Sequence, residues 1–267
     1  MEKYREIEKS IIKKYRKKIW SPFVRCIKEF NLINENDKVA VCISGGKDSM
    51  LLAKCLEELQ CHGIFKFDLE YIVINPGYNK ENLDKVIANA KLMNINIKIF
   101  DVDIFNEVQE YSGTEACYRC AKKRRGHLYA IAKSLGCNKI ALGHHFNDVI
   151  ETIMLNMLYT GNYGSMLPKL KSKNFEGLEL IRPLLYVKED DIKSFRDYNG
   201  LEFIDCACFM TKKKIGKRLY VKNLIKSLKE ENPMVDVSIF NSMFNVNIDK
   251  VITYKTNNKK INYYDEY

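Results

Sequence analysis

Val39-Ala-Val-Cys-Ile43, then Ser44-Gly-Gly-Lys-Asp-Ser49, then Met50-Leu-Leu-Ala53 decide how this chain is read. The first five residues are apolar and rich in β-branching, as in a strand buried inside a parallel sheet. The next six form a turn with two glycines, after which Leu51, Leu52, Cys55, Leu56 and Leu59 open a helical pattern. Strand, glycine turn and helix N-terminus make an anion site, because unpaired backbone N–H groups and the positive helix end converge there. Gly45 and Gly46 remove the Cβ atoms that would hold a phosphate off the backbone. Lys47 adds a charge, and Ser44 and Ser49 add hydroxyl donors. It is not a Walker A loop: Val41 stands where that motif needs its first glycine, and Asp48 where it needs Ser or Thr.

Outward from this turn, strands alternate with helices. Strands are expected at 39–43, 69–74, 95–102, 139–142 and 178–183, and helices at 48–60, 80–93, 119–135, 147–159 and 188–198. That order implies an α/β fold, a parallel doubly wound sheet with helices on both faces. Ligands in such sheets sit at the carboxyl ends of strands, which lines up Ser44–Ser49, Asn75 and Gly143-His144-His145 along one edge. The two histidines are adjacent at a strand end and point apart, so they read as loop closure and nucleotide contact rather than as a shared metal site.

The flanks are basic and helical. Residues 2–19 read as one amphipathic helix, and Ser21-Pro22 opens a second through Phe30. Residues 160–176 read as a flexible loop. Lys212, Lys213, Lys214, Lys217, Arg218, Lys222, Lys226 and Lys229 make 212–229 strongly positive, with helical spacing from Lys217. Met234–Phe244 reads as a short helix and the chain from Thr256 as a loose tail. Three parts are expected: a basic N-terminal extension at 1–35, a catalytic domain at 36–210 and a basic C-terminal region at 211–267. The balance of 44 Lys and Arg against 34 Asp and Glu, +10 over 267 residues, suits a polyanionic partner. With no run of ~18 apolar residues and a charged opening stretch, the chain is expected to be cytoplasmic, without a membrane contact.

Nine cysteines in a cytosolic chain argue against a disulfide framework. Cys26, Cys42, Cys55, Cys61 and Cys137 read as packing residues. Cys117, Cys120, Cys206 and Cys208 come in two close pairs. Cys117-Tyr-Arg-Cys120, followed by Lys122, Lys123, Arg124 and Arg125, puts two thiols near cations that favour thiolates. Two further thiols at 206 and 208 complete a four-sulfur set that suits zinc or an iron–sulfur cluster.

Ser-Gly-Gly-Lys-Asp-Ser resembles the PP-loop of the ATP-pyrophosphatase superfamily, which implies a PP-loop ATPase (adenine nucleotide alpha hydrolase-like) sheet. Cys117-x-x-Cys120, Arg124-Arg-Gly126, Lys139-Ile-Ala-Leu-Gly-His-His145, Asp148, Leu155-Asn156, Met166-x-Pro168-Lys169 and Ile181-Arg-Pro-Leu184 follow in order. Together they resemble the TtcA-type tRNA 2-thiocytidine synthetases over roughly residues 15–245. The resemblance implies ATP, Mg²⁺ and a [4Fe-4S] cluster as cofactors, tRNA as partner, and a sulfur donor, either a cysteine desulfurase or inorganic sulfide. It leaves a homodimer open. Nucleotide contact is implied for Ser44, Gly45, Gly46, Lys47, Asp48, Ser49, Ile74, Gly143, His144 and Asp148.

The reaction implied is adenylation of the C2 oxygen of an anticodon-loop cytidine and its replacement by sulfur, with AMP and pyrophosphate released. Asp48 and Asp148 would hold Mg²⁺, Lys47 would neutralise the departing pyrophosphate, and Arg124 would stabilise the adenylate without moving a proton. Cys117, Cys120 and one later cysteine would hold the cluster, whose open iron carries the sulfur. The late pair is Cys-x-Cys where the family has Cys-x-x-Cys, so Cys206 and Cys208 both stand as the third ligand; a one-residue deletion favours Cys208. Asn147 also replaces a family carboxylate. A 2-thiouridine synthetase, another PP-loop adenylating enzyme of the lysidine-synthetase kind and a zinc-stabilised RNA-binding protein are the alternatives.

Overall fold

Lys38–Ile43 (β1), Asp68–Asn75 (β2) and Ile97–Asp101 (β3) pair side by side in parallel, and Lys139–Ala141 (β4) joins β1 on its other flank. Glu179–Ile181 (β6) continues in parallel, and Lys169–Lys171 (β5) closes the edge antiparallel to β6. The resulting six-stranded order is β3-β2-β1-β4-β6-β5. The computed structural model describes residues 2–63, 65–104, 113–204, 216–256 and 259–265, without the side chains of 113–118, 121 and 265. Cys206, Cys208 and Lys212–Lys214 lie outside the described residues, as does the side chain of Cys117.

The chain divides into two units. The first, 1–149 with 166–216, contains the sheet. Alternation along β1 sends Val39, Val41 and Ile43 to the face where Lys47–His62 (α3) packs, and Ala40 and Cys42 to the other. On that second face Ala40, Ile72, Ile74, Ile140 and Leu180 bury against Leu128, Tyr129 and Ala132 of Gly113–Ser134 (α5). Lys80–Leu92 (α4) follows β2, its N-terminus capped by the Asn79 side chain accepting from the Asn82 N–H at 2.9 Å. Glu189–Tyr198 (α7) packs on α3. A sheet with helices on both faces is the doubly wound architecture expected.

The N-terminal segment departs from the single helix expected at 2–19. Lys3–Ile12 (α1) ends, and a π-helical turn at Arg16–Trp20 leads straight into Ser21–Glu29 (α2). The cause is tertiary: the buried Tyr15 donates its hydroxyl to the Ser194 carbonyl at 2.7 Å and sets its ring edge-on to Phe195. Residues 160–176 are not a plain loop, because β5 lies among them. Cys61 is exposed, against its expected packing role.

The second unit, 150–165 with 217–267, holds most of Phe146–Thr160 (α6), Lys217–Glu231 (α8) and Val235–Asn241 (α9). Ile150 and Ile153 of α6, Val221 and Ile225 of α8 and Phe240 of α9 are its buried apolar residues among those described. Thr253–Thr256 (β7) and Lys259–Asn262 (β8) pair antiparallel, so the expected loose tail contains a hairpin. No helix among the described residues is long and apolar enough to cross a membrane.

Candidate active site

The turn between β1 and α3 is stapled by its own last serine. The Ser49 hydroxyl accepts from the Ser44 N–H at 3.1 Å, lies 3.1 Å from the Ser44 hydroxyl and donates to the Gly46 carbonyl at 3.0 Å. Gly45 sits at φ +81°, a left-handed conformation that favours glycine. A Cβ there would also strike the Ile204 and Val86 side chains at 2.6 Å. Ser49 is therefore buried in support of the turn, while the N-terminus of α3 opens toward the cavity.

The loop after β4 closes against this turn. Gly143 lies so near the first turn of α3 that a Cβ would come within 3.0 Å of the Asp48 carbonyl carbon and the Ser49 nitrogen. Beyond it α6 begins, with Asp148 accepting from the His145 backbone N–H at 3.0 Å. The buried His145 ring bridges two carboxylates, Nε2 at 3.7 Å from Asp48 Oδ1 and Nδ1 at 3.5 Å from Asp148 Oδ2. Asp48 Oδ1 and His145 Nδ1 are both buried without a hydrogen-bond partner. Buried polar atoms are nearly always satisfied, so a pair of orphans beside two carboxylates marks a place built for a further group.

A cavity of 390 Å³ opens here, lined among others by Ser44, Asp48, Ser49, Ile74, Gly143, His144 and Asp148 on the turn side. Arg124 and Arg125 of α5 and Cys42 of β1 line it as well. The Arg124 guanidinium donates to the Tyr78 hydroxyl and lies over that ring at 5.8 Å. Burial pushes the Cys42 thiol up to about 11, with Arg124 pulling the other way, so it is a neutral wall. His144 turns away from His145, its Nδ1 accepting from Arg182 Nε at 3.3 Å. Burial, then Arg125, hold the Arg182 guanidinium below its ordinary pKa.

A PP-loop domain profile matches residues 16–216. The chain belongs to the PP-loop family. Among curated relatives it is 36% identical over 224 residues to the tRNA-cytidine(32) 2-sulfurtransferase of Syntrophotalea carbinolica, covering 83% of this chain and 86% of that one. The Geobacter metallireducens protein of the same name is 36% identical over 236 residues, covering 88% and 91%. The fold is shared with the U34-tRNA thiolase NcsA from Methanococcus maripaludis, solved with its [4Fe-4S] cluster, at TM-score 0.67 and 23% identity over 83% of this chain and 76% of that one.

Within this PP-loop site, Gly45, Gly46 and Lys47 are predicted contacts that do not line the cavity, and Lys47 is the one among them with a charge. Its Nζ is held by Asp48 Oδ2 at 3.1 Å and by Glu189 Oε1 at 3.5 Å. Glu189 is nearly buried at the start of α7, where its backbone N–H donates to Asn147 Oδ1 at 2.9 Å. The amide at 147 thus serves α7, and the carboxylate at the cavity is Asp148. Sequence reasoning missed Glu189, Arg125 and Arg182 as site residues and gave His145 no role at the carboxylates. Arg182 had a usable signal, since it follows β6 at its carboxyl end, where ligands gather. Cys117 and Cys120 stand one turn apart in α5, and Cys120 is half-buried. The positive stretch of α8 is partly engaged: Arg218 pairs with Glu151 at 2.7 Å, and Lys217 lies over the Tyr159 ring at 4.7 Å.

Proposed function

We propose that the chain is an ATP-dependent sulfurtransferase that converts a cytidine of tRNA to 2-thiocytidine, cytidine 32 by the name its relatives carry. One observation carries the reading. The first helical carboxylate of the phosphate turn, Asp48, has a buried oxygen without a partner beside His145 and Asp148, at a cavity edged by arginines.

In this reading the cytidine O2 attacks the α-phosphorus of ATP and pyrophosphate leaves. Sulfur then attacks C2, and AMP departs with the former O2. The N–H groups of Ser44–Ser49 and the α3 N-terminus receive the β- and γ-phosphates. Lys47, freed from Glu189, meets the charge that builds on the leaving pyrophosphate. The donor set of Asp48 and Asp148 is hard oxygen, which suits Mg²⁺, and the orphaned Asp48 Oδ1 fits such an ion. Ile74, Gly143 and His144 make the adenosine side. Arg124, tethered by Tyr78 and always charged, stabilises the adenylated base rather than transferring a proton. Cys117 and Cys120, with Cys208 or Cys206, would hold a [4Fe-4S] cluster, and such a cluster supplies the incoming sulfur when bound. The basic segments 1–35 and 211–267 contact the tRNA around the catalytic part at 36–210. A cysteine desulfurase or free sulfide feeds the reaction in the cytoplasm.

The test is an oxygen-free assay of tRNA transcript, ATP and sulfide, reading 2-thiocytidine by mass spectrometry alongside AMP. Lys47→Ala and Asp48→Ala should each lower AMP formation by ~10²–10³ while tRNA binding persists. Wild-type AMP release in either variant removes the assignment of the turn. Cys117→Ala and Cys120→Ala should purify without iron; full iron in either would end the cluster reading.

A further inference from the structure

Away from the PP-loop, the π-helical turn and α2 frame a second concavity of 590 Å³. Its walls include Arg16, Trp20, Val24, Arg25, Lys28 and Glu29. The cations outnumber the single carboxylate, and that carboxylate is already occupied. Glu29 accepts from Arg25 Nε at 3.0 Å and from the Tyr186 hydroxyl at 2.7 Å, which keeps its pKa below the ordinary value. Arg25 also lies over the Tyr186 ring at 4.6 Å. Arg16 and Lys28 remain, both exposed and without an ion pair among the described residues. Between them stands Trp20, half-buried, its indole backed at 5.6 Å by the fully buried Phe23.

We propose that this groove holds an unpaired nucleotide of the tRNA, its base on Trp20 and its phosphates at Arg16 and Lys28. The proposal rests on tRNA being the substrate. The chemistry is that of single-strand recognition, in which an aromatic face stacks a splayed base while neighbouring cations track the backbone. A rigid backing matters, because a stacking platform that must first be ordered loses part of its affinity. A duplex fits badly, because its bases are stacked on each other and offer no free face to the Trp20 ring. An apolar surface fits badly as well, since two unpaired cations flank the ring.

Trp20 is the chain's one tryptophan, so its emission reports on the groove alone. The full-length protein is titrated with unmodified tRNA while the anisotropy of labelled tRNA gives binding independently. Trp20 emission should be quenched saturably, with the same midpoint as the anisotropy change. Trp20→Leu, which keeps an apolar neighbour for Phe23, should weaken binding roughly 5- to 100-fold, as expected for one lost stacked base. Arg16→Gln with Lys28→Gln leaves the core untouched and should flatten the salt dependence by about 0.7–0.9 in log–log slope per residue. The double variant decides the matter if Trp20→Leu fails to fold. Single-stranded RNA should quench and duplex RNA of equal length should not. Normal anisotropy with unchanged Trp20 emission, or unchanged affinity and slope in the double variant, would overturn the groove and leave the tRNA reading standing. Equal quenching by duplex would overturn the unpaired nucleotide. No anisotropy change at any salt would remove both.

Discussion

Gly143→Ala and Gly126→Ala are the same chemical change and should have opposite effects. At Gly143 the added methyl would sit 3.0 Å from both the Asp48 carbonyl carbon and the Ser49 nitrogen, and 3.1 Å from the Asp48 oxygen. All three are backbone atoms of the first turn of α3, and that turn is tied to the phosphate turn through the Ser49 hydroxyl. No rotamer relieves the overlap, so β4 and α3 must separate by a few tenths of an ångström. Overpacking of this kind costs about 1–3 kcal/mol, which for a chain of this size lowers Tm by roughly 2–4 °C per kcal/mol. The displaced atoms carry Asp48, and misplacement by an ångström costs about 10² in rate, so a fraction of that should cost about tenfold in kcat/KM. Gly126 lies in α5 with nothing within 4 Å of its would-be Cβ. Alanine there should gain about 0.5–1 kcal/mol from helix preference alone. Paired thermal melts and AMP release, both made in the full-length protein, read the two variants. A Gly143→Ala protein as stable and as active as wild type would refute the close-approach argument, as would equal losses in both.

Glu189→Gln removes a carboxylate that competes with the triphosphate for Lys47, so the KM for ATP should fall at least about twofold; an unchanged KM would mean the lysine leaves Glu189 before nucleotide arrives. Glu70 is held below the ordinary carboxylate pKa by hydrogen bonds to Lys98 and Lys38. A lowered folded pKa contributes stability above the unfolded value of about 4.3 and loses it as pH falls through the folded one. Glu70→Gln should therefore lower Tm at neutral pH, and the gap to wild type should close in acid; a gap that persists there would show packing rather than charge. Of Cys206→Ala and Cys208→Ala, prepared without oxygen, one should keep its iron and acid-labile sulfide and the other lose both. Loss in both would argue for a four-cysteine site.

The sheet was legible because its strands are short apolar runs separated by periodic helices, and that signal is local. The break at Lys13–Tyr15 was not, since it depends on a hydroxyl bonding Ser194 far along the chain. β5 is Lys-Leu-Lys, a pattern without strand character until β6 offers its backbone. The hairpin of β7 and β8 hides in Asn- and Lys-rich composition for the same reason. At the site, the phosphate turn, Gly143 and Asp148 could be read from motif and strand-end position. Glu189 could not: nothing near it in sequence says that α7 brings a carboxylate to Lys47. The role of Asn147 was equally hidden, because it answers an N–H of α7.

The antiparallel strand at the sheet edge also bears on assembly. β5 is exposed along its length and offers unpaired backbone to any neighbouring strand. Two copies joined there about a two-fold axis through Leu170 would set Lys169 of each opposite Lys171 of the other. Like charges directly opposed across a ladder repel, so the geometry that would extend the sheet from one molecule into the next is penalised at both ends of a three-residue strand. The lysines thus work against that two-fold pairing and leave the edge to water.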